Sequence, residues 1–269
     1  MKSESPSNWP ALERGSGPAV VFLHGYPLNH SMWTPQLEDL SFSHHVILLD
    51  LPGYGLAGDW SVPDTLSGFA ESVHRTLIER FSTPVAFVGH SFGGYVAIQL
   101  FRDHPEQFRA LILTNTRSEP DSPEAKEKRL ALAARLEDPT QSLEVDEVAR
   151  SLVAPATWHM GGPVVENVRS MVREARPATI RSTLRAIADR PDSTPVLPNI
   201  RVPALVVWGS EDRLIPPQQT QLMVPRIPGG TGVGIAGAGH LPSLEKSQAF
   251  SGAVRDFLGR IPEKSPGPE

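Results

Sequence analysis

The sequence predicts an α/β fold: a mostly parallel central sheet flanked by helices, with a helical cap inserted in the second half. Three observations lead there. Short apolar runs bounded by Gly, Pro or Asp recur along the chain, as expected of buried parallel strands. Segments of helical periodicity separate them, and strand–helix alternation implies helices on both faces of one sheet. The rhythm then breaks between Arg117 and about Pro195, where no strand pattern occurs.

PAVVFLHG (residues 18–25) is the first clear strand, running into a turn. HHVILLDLPGYG (44–55) is the second, and Leu66–Phe81 follows as a helix. TPVAFVGHS is the third strand, followed by a helix over Gly93–Arg102. ALILTNT and VPALVVWGSED complete five strands. Helical patterns close the chain at Pro217–Met223 and Ser243–Leu258, and the last residues, PEKSPGPE, are expected to fray. Within the break, Ser122 is an expected N-cap with Pro123 at the first helical position. Val164, Val165, Val168, Met171 and Val172 fall on one helical stripe, and Ile180, Leu184 and Ile187 on another. Residues 1–116 and 196–269 are therefore expected to form the core, and 117–195 a cap over the loops at the carboxyl ends of the strands, where such sheets carry their function.

Composition excludes several classes. A formal charge of −5 gives no reason to expect nucleic-acid binding or a polybasic membrane patch. The chain has no cysteine, which removes disulfide and thiolate chemistry and would leave zinc only His and carboxylate ligands. No stretch of about 18 apolar residues could span a bilayer, and MKSESPSNWP has no apolar signal core. A cytoplasmic protein is expected.

Gly89-His90-Ser91-Phe92-Gly93 matches G-x-S-x-G with a strand before it and a helix after it. Such a turn strains its central residue, and small residues two positions either side let the backbones approach. The serine then stands at the positive end of the next helix. An unassisted hydroxyl is a poor nucleophile, so a base and an orienting carboxylate are needed. Three histidines follow Ser91. His104 reads as a surface residue, His159 lies in the insertion, and His240 sits in the glycine-rich loop GAGHLPSLE; His240 is assigned as the base. VPALVVWGSEDRLIPP ends its buried run with Glu211 and Asp212. Asp212 is assigned as the acid, with Glu211 the alternative; the end of ALILTNT offers only Asn115, which is no carboxylate. The oxyanion of an ester's tetrahedral intermediate needs preorganised N–H donors. The backbone N–H groups of Phe92 and of Tyr26, in the loop His24-Gly25-Tyr26-Pro27, are the expected pair. His24 is read as a brace for that loop.

HGYP, DLPGYG, GHSFGG, GSEDRLIPP and GAGHLPSLE occur in an order that resembles the α/β-hydrolases, over residues 18–258. The segments flanking the insertion, TRSEPDSPEAKEKR and RPDSTPVLPNIRVP, resemble small capped bacterial carboxylesterases, a group that includes 3-oxoadipate enol-lactonases. That family begins with two antiparallel strands. Here WPALERG is expected to supply one, and the first is expected to be missing or degenerate. Haloalkane dehalogenases and epoxide hydrolases resemble the chain in HGYP but carry aspartate where it has Ser91. Epoxide hydrolases also use cap tyrosines, whereas the tyrosines here are Tyr26, Tyr54 and Tyr95, none in the insertion.

The expected function is a serine carboxylesterase for short acyl chains, with the triad Ser91, Asp212 and His240 and no cofactor or metal. Its partner is a small-molecule ester. Hydrolysis of an enol-lactone bearing a carboxylate, or of a carbon–carbon bond, could use the same residues. From a different class, a non-catalytic receptor that closes its cap on a bound molecule remains open.

Overall fold

The computed structural model describes residues 9–262. PEKSPGPE, apart from Pro262, lies outside them. Seven strands form one sheet: β1 (Ala11–Arg14), β2 (Ala19–Leu23), β3 (His45–Leu49), β4 (Val85–His90), β5 (Phe108–Thr114), β6 (Ala204–Gly209) and β7 (Thr231–Ile235). Their order is β1-β3-β2-β4-β5-β6-β7, antiparallel between β1 and β3 and parallel elsewhere. WPALERG thus supplies the edge strand, and Trp9 fastens it by donating its indole N–H to Asp50 O at 2.8 Å.

The sheet's two faces bury separate cores, as side-chain alternation along a strand requires. Val85 and Phe87 of β4 join one core, and Ala86 and Val88 the other. Every β4 side chain is buried. This is why the run reads as continuously apolar rather than alternating. Each large side chain so buried contributes about 1.5–3 kcal/mol from removing its surface from water.

Helices α1 (Thr34–Leu40), α2 (Leu66–Arg80) and α3 (Phe92–Asp103) precede the break. The sequence shows little of α1, because its seven residues carry no side-chain N-cap and bury only Gln36, Leu37 and Leu40. Between β5 and β6 come α4 (Pro123–Arg135), α5 (Val145–Leu152), α6 (Pro155–Met160), α7 (Pro163–Glu174) and α8 (Pro177–Ala188), with no strand among residues 117–195. Ser122 caps α4 by accepting from the N–H of Ala125. The stripes of α7 and α8 face inward, with Val165, Val168, Met171, Val172, Ile180, Leu184 and Ile187 buried and Val164 half-buried. Helices α5 and α6 were not visible in the hydrophobic pattern; each is short and buries two residues or fewer.

Last come α9 (Pro217–Gln221), α10 (Pro242–Glu245) and α11 (Ser247–Leu258). The single helix expected over Ser243–Leu258 is broken at Lys246, whose φ of −137° and ψ of 51° are not helical. The break turns Glu245 back toward the loop before α10, where its carboxylate is consumed.

Candidate active site

Ser91 stands between β4 and α3 with φ 51° and ψ −113°, a strained conformation for a residue with a side chain. The glycines around it permit the turn. A Cβ on Gly93 would lie 2.4 Å from Leu23 O, and one on Gly89 would lie 2.7 Å from Gly93 O. Neither position tolerates a larger residue without moving backbone. The N–H of Ser91 donates to Thr114 O at 3.0 Å, fixing the turn to the end of β5. Ser91 is 8% exposed, so the hydroxyl lies in an enclosed site.

Phe92 opens α3, so its N–H is one of those a helix cannot pair internally. Tyr26 lies in the loop after β2, and that loop presses on the Ser91 turn. A Cβ on Gly25 would lie 2.7 Å from His90 Cδ2 and 3.2 Å from Ser91 Cβ. His24 is fully buried. Its Nε2 accepts from the N–H of Leu51 at 2.9 Å, and its Nδ1 donates to Gly25 O at 3.0 Å. Burial holds its pKa below the ordinary value, against the pull of Asp50. It therefore acts as a neutral strut between the loops after β2 and β3.

Asp212 and His240 meet 28 residues apart. His240 Nδ1 donates to Asp212 Oδ2 at 2.7 Å, both side chains fully buried. Glu211 is exposed on the turn. The backbone N–H groups of Leu214 and Ile215 donate to Asp212 Oδ1 at 2.9 and 3.0 Å. Burial works against the Asp212 carboxylate. His240, the Asn115 amide and the Ile215 N–H outweigh it and hold the pKa below the usual carboxylate range. His240 Nε2 is buried and has no hydrogen-bond partner. Asp212 and His240 are thus brought together directly. Ser91 joins them through neighbours: the His90 ring packs 4.7 Å from the His240 ring, and the Ser91 N–H binds the residue before Asn115. His104 is half-buried beside α2, and His159 is exposed in α6.

Two residues that the sequence analysis assigned no role complete the arrangement. Asn115, with φ 45°, donates through its amide to Asp212 Oδ2 at 2.7 Å and to Gly239 O at 3.3 Å. It cannot be the carboxylate, but it holds the carboxylate and the histidine loop together. Glu245 accepts four hydrogen bonds. Its Oε1 takes the N–H groups of Gly239 (2.8 Å) and Leu241 (3.2 Å), which flank His240, and its Oε2 takes the Ala154 N–H and the Thr157 hydroxyl, both at 2.7 Å. A Glu five residues after a loop histidine carries no local signal, because its partners at 154 and 157 come from the insertion.

Residues 20–253 match the model of the alpha/beta hydrolase family. The chain belongs to that family. As an alpha/beta hydrolase it is 31% identical over 268 residues to the pimeloyl-[acyl-carrier protein] methyl ester esterase of Aeromonas hydrophila, covering 93% of this chain and 99% of the relative. Among solved structures it is similar to a thermophilic esterase from Thermogutta terrifontis with malate bound, at 32% identity and a TM-score of 0.88, covering 94% and 93% of the two chains. The enol-lactonase of Burkholderia xenovorans LB400 superposes with a TM-score of 0.85 at 25% identity, covering 93% of this hydrolase and 96% of that chain. Among the described residues of the hydrolase, no helix is long and apolar enough to cross a membrane.

Proposed function

We propose that this hydrolase cleaves small carboxylic esters through an acyl-enzyme on Ser91. The observation that carries the reading is the buried His240–Asp212 hydrogen bond, with the His240 ring 4.7 Å from the ring of His90, which precedes a serine held at positive φ on a strand–helix turn. With Nδ1 donating to Asp212, the lone pair of His240 rests on Nε2. That atom takes the Ser91 proton as the hydroxyl oxygen attacks the ester carbonyl carbon. The Tyr26 and Phe92 N–H groups hold the oxyanion. Collapse breaks the bond to the alcohol, which leaves with the proton from His240. Water, deprotonated by the same nitrogen, then releases the acid, and Asp212 stabilises the imidazolium formed in each half. These steps need no metal or cofactor.

Residues 117–195 serve as the cap over this site, with 1–116 and 196–269 as the core. One anchor is Asp121, which pairs with Arg117, Arg129 and Arg190, while Arg190 lies 4.3 Å above the Tyr95 ring on α3. The other is Glu245. Glu245→Gln would put an amide NH₂ where one carboxylate oxygen now accepts two bonds. Unpaired buried donors cost about 1–3 kcal/mol each, and a loosened His240 loop should cost about 10–100-fold in kcat. A lowered melting temperature with kcat unchanged would show that Glu245 supports the fold alone.

The substrate is small. Trp158 is the one Phe, Trp or Tyr between Arg117 and Pro195, and Arg169 already covers its ring at 4.9 Å. A closed helical cap over a serine that is 8% exposed suits acyl chains of roughly two to six carbons. Each further methylene gains about 0.8 kcal/mol of burial while space lasts. In a series of p-nitrophenyl esters, kcat/KM is expected to rise and then fall with acyl length. A steady rise to long chains would mean a lipase-like lid, and no turnover of any ester would favour a binding protein.

A second reading has its own observation. Three guanidiniums converge on the single carboxylate of Asp121. Arg129 is also near enough to the buried Tyr26 phenol to oppose the rise in pKa that burial causes there. Surplus positive charge beside the proposed oxyanion loop favours an ester or lactone carrying a carboxylate, and the similarity to an esterase with malate bound and to an enol-lactonase agrees with this. An enol-lactone assayed beside the neutral esters decides between the two.

A further inference from the structure

We infer that Glu71, His74 and His104 form a binding site for a divalent transition metal of the zinc type, remote from the catalytic cluster. One ligand atom from each of the three lies within 4.8 Å of the others, and all three residues are half-buried. Glu71 and His74 stand one turn apart on α2, so they share a face. His104 ends α3 and brings its ring parallel to that of His74, with centroids 3.5 Å apart and an interplanar angle of 4°.

The groups around the cluster point to a ligand more than the cluster does by itself. Metal-binding side chains are commonly oriented by a partner on their other polar atom, and here Glu71 and His74 each have one, while Glu106 stands near the third. Glu71 Oε1 is held by Arg75 Nε at 2.8 Å, which leaves Oε2, 3.9 Å from His104 Nε2. His74 Nδ1 is 2.6 Å from Gln107 Nε2, while Gln107 Oε1 is buried with no partner, so turning the amide over puts its oxygen against the ring. With the amide oxygen toward the ring, Nδ1 donates to it and Nε2 keeps its lone pair; the two amide orientations are equivalent in outline. His104 Nδ1 lies 3.6 Å from Glu106 Oε1. Thus Glu71 Oε2, His74 Nε2 and His104 Nε2 remain for an ion.

Two imidazoles and one carboxylate suit zinc, cobalt, nickel or copper, and not magnesium or calcium, which prefer oxygen ligands alone. Parallel rings direct their lone pairs side by side, so seating an ion requires one ring to turn about χ2, a soft torsion. The bound ion would pin α2 to the connection between α3 and β5. Helix α3 runs from the nucleophile turn to His104, about 18 Å along its axis, so the ion would not reach the ester.

The test uses the full chain, free of any affinity tag, stripped with EDTA and titrated calorimetrically with zinc chloride, with magnesium chloride as control. One saturable zinc site is expected. At a hundredfold excess over Kd it should raise the melting temperature by about 5 °C, while magnesium does nothing and ester turnover is unchanged by metal or chelator. His74→Ala and His104→Ala should each abolish that site and keep their turnover. Glu71→Gln, a milder change, should weaken it at least tenfold even if a histidine variant folds poorly. Absence of saturable zinc binding, or a site that survives all three substitutions, would overturn the inference.

Discussion

Ser91→Ala is expected to lose at least about 10³-fold in kcat while keeping its fold. Members of a nucleophile–base unit act together, so removal of the attacking atom leaves only what the N–H donors and binding provide. The alanine methyl fits where the serine Cβ already sits, and it removes only the hydroxyl. Circular dichroism and melting temperature should match the parent. An organophosphate or sulfonyl fluoride should modify the parent once, at Ser91, and leave the variant untouched. Near-normal turnover by the variant would remove the proposed mechanism entirely.

Asp212→Asn is expected to cost about 10²–10⁴-fold in rate, through the imidazole tautomer. An Asn amide facing His240 Nδ1 can donate to it, which moves the ring proton to Nε2, where Ser91 needs an acceptor. Glu211→Gln is the control. That side chain is exposed, and its loss should change kcat by less than twofold. If Glu211→Gln is the crippling change, the acid has been assigned one residue off.

Asp212 also contributes to stability against acid, and the sign follows from its depressed pKa. The contribution is complete above the unfolded-chain value near 3.9 and is lost as pH falls through the lower native value. The Asn variant, having no such group, should lose less stability than the parent over that acid range. Melting temperatures of both proteins across it would show whether the gap between them closes.

The fold was legible in this sequence because most of it is written in short-range pattern. VAFV, meeting GHSFGG and then a helical run, announces a strand, a tight turn and a helix. Each piece depends on neighbours within a few positions: β-branched side chains, glycines where backbones approach, and a first helical turn with free N–H groups. The five apolar runs and the stripes of α7 and α8 were legible for the same reason. Helices α1, α5 and α6 were not, because short helices bury too few residues to show a period, and their place is set by what they pack against.

The site divides along the same line. Residue types and order in the chain alone proposed Ser91, His240 and Asp212, since such chemistry needs a nucleophile, a base and a carboxylate at strand ends. What holds them is a matter of tertiary structure. Asn115 reaches Asp212 across 97 positions, and Glu245 reaches Ala154 across 91. The arginines around Asp121 come from both ends of the insertion, and His104 meets Glu71 and His74 only because α3 packs on α2. A local pattern specifies how a segment folds and which face it buries. Which polar atoms then meet depends on how those faces dock, and a hydrogen bond of 2.7 Å has no period in the sequence that could announce it.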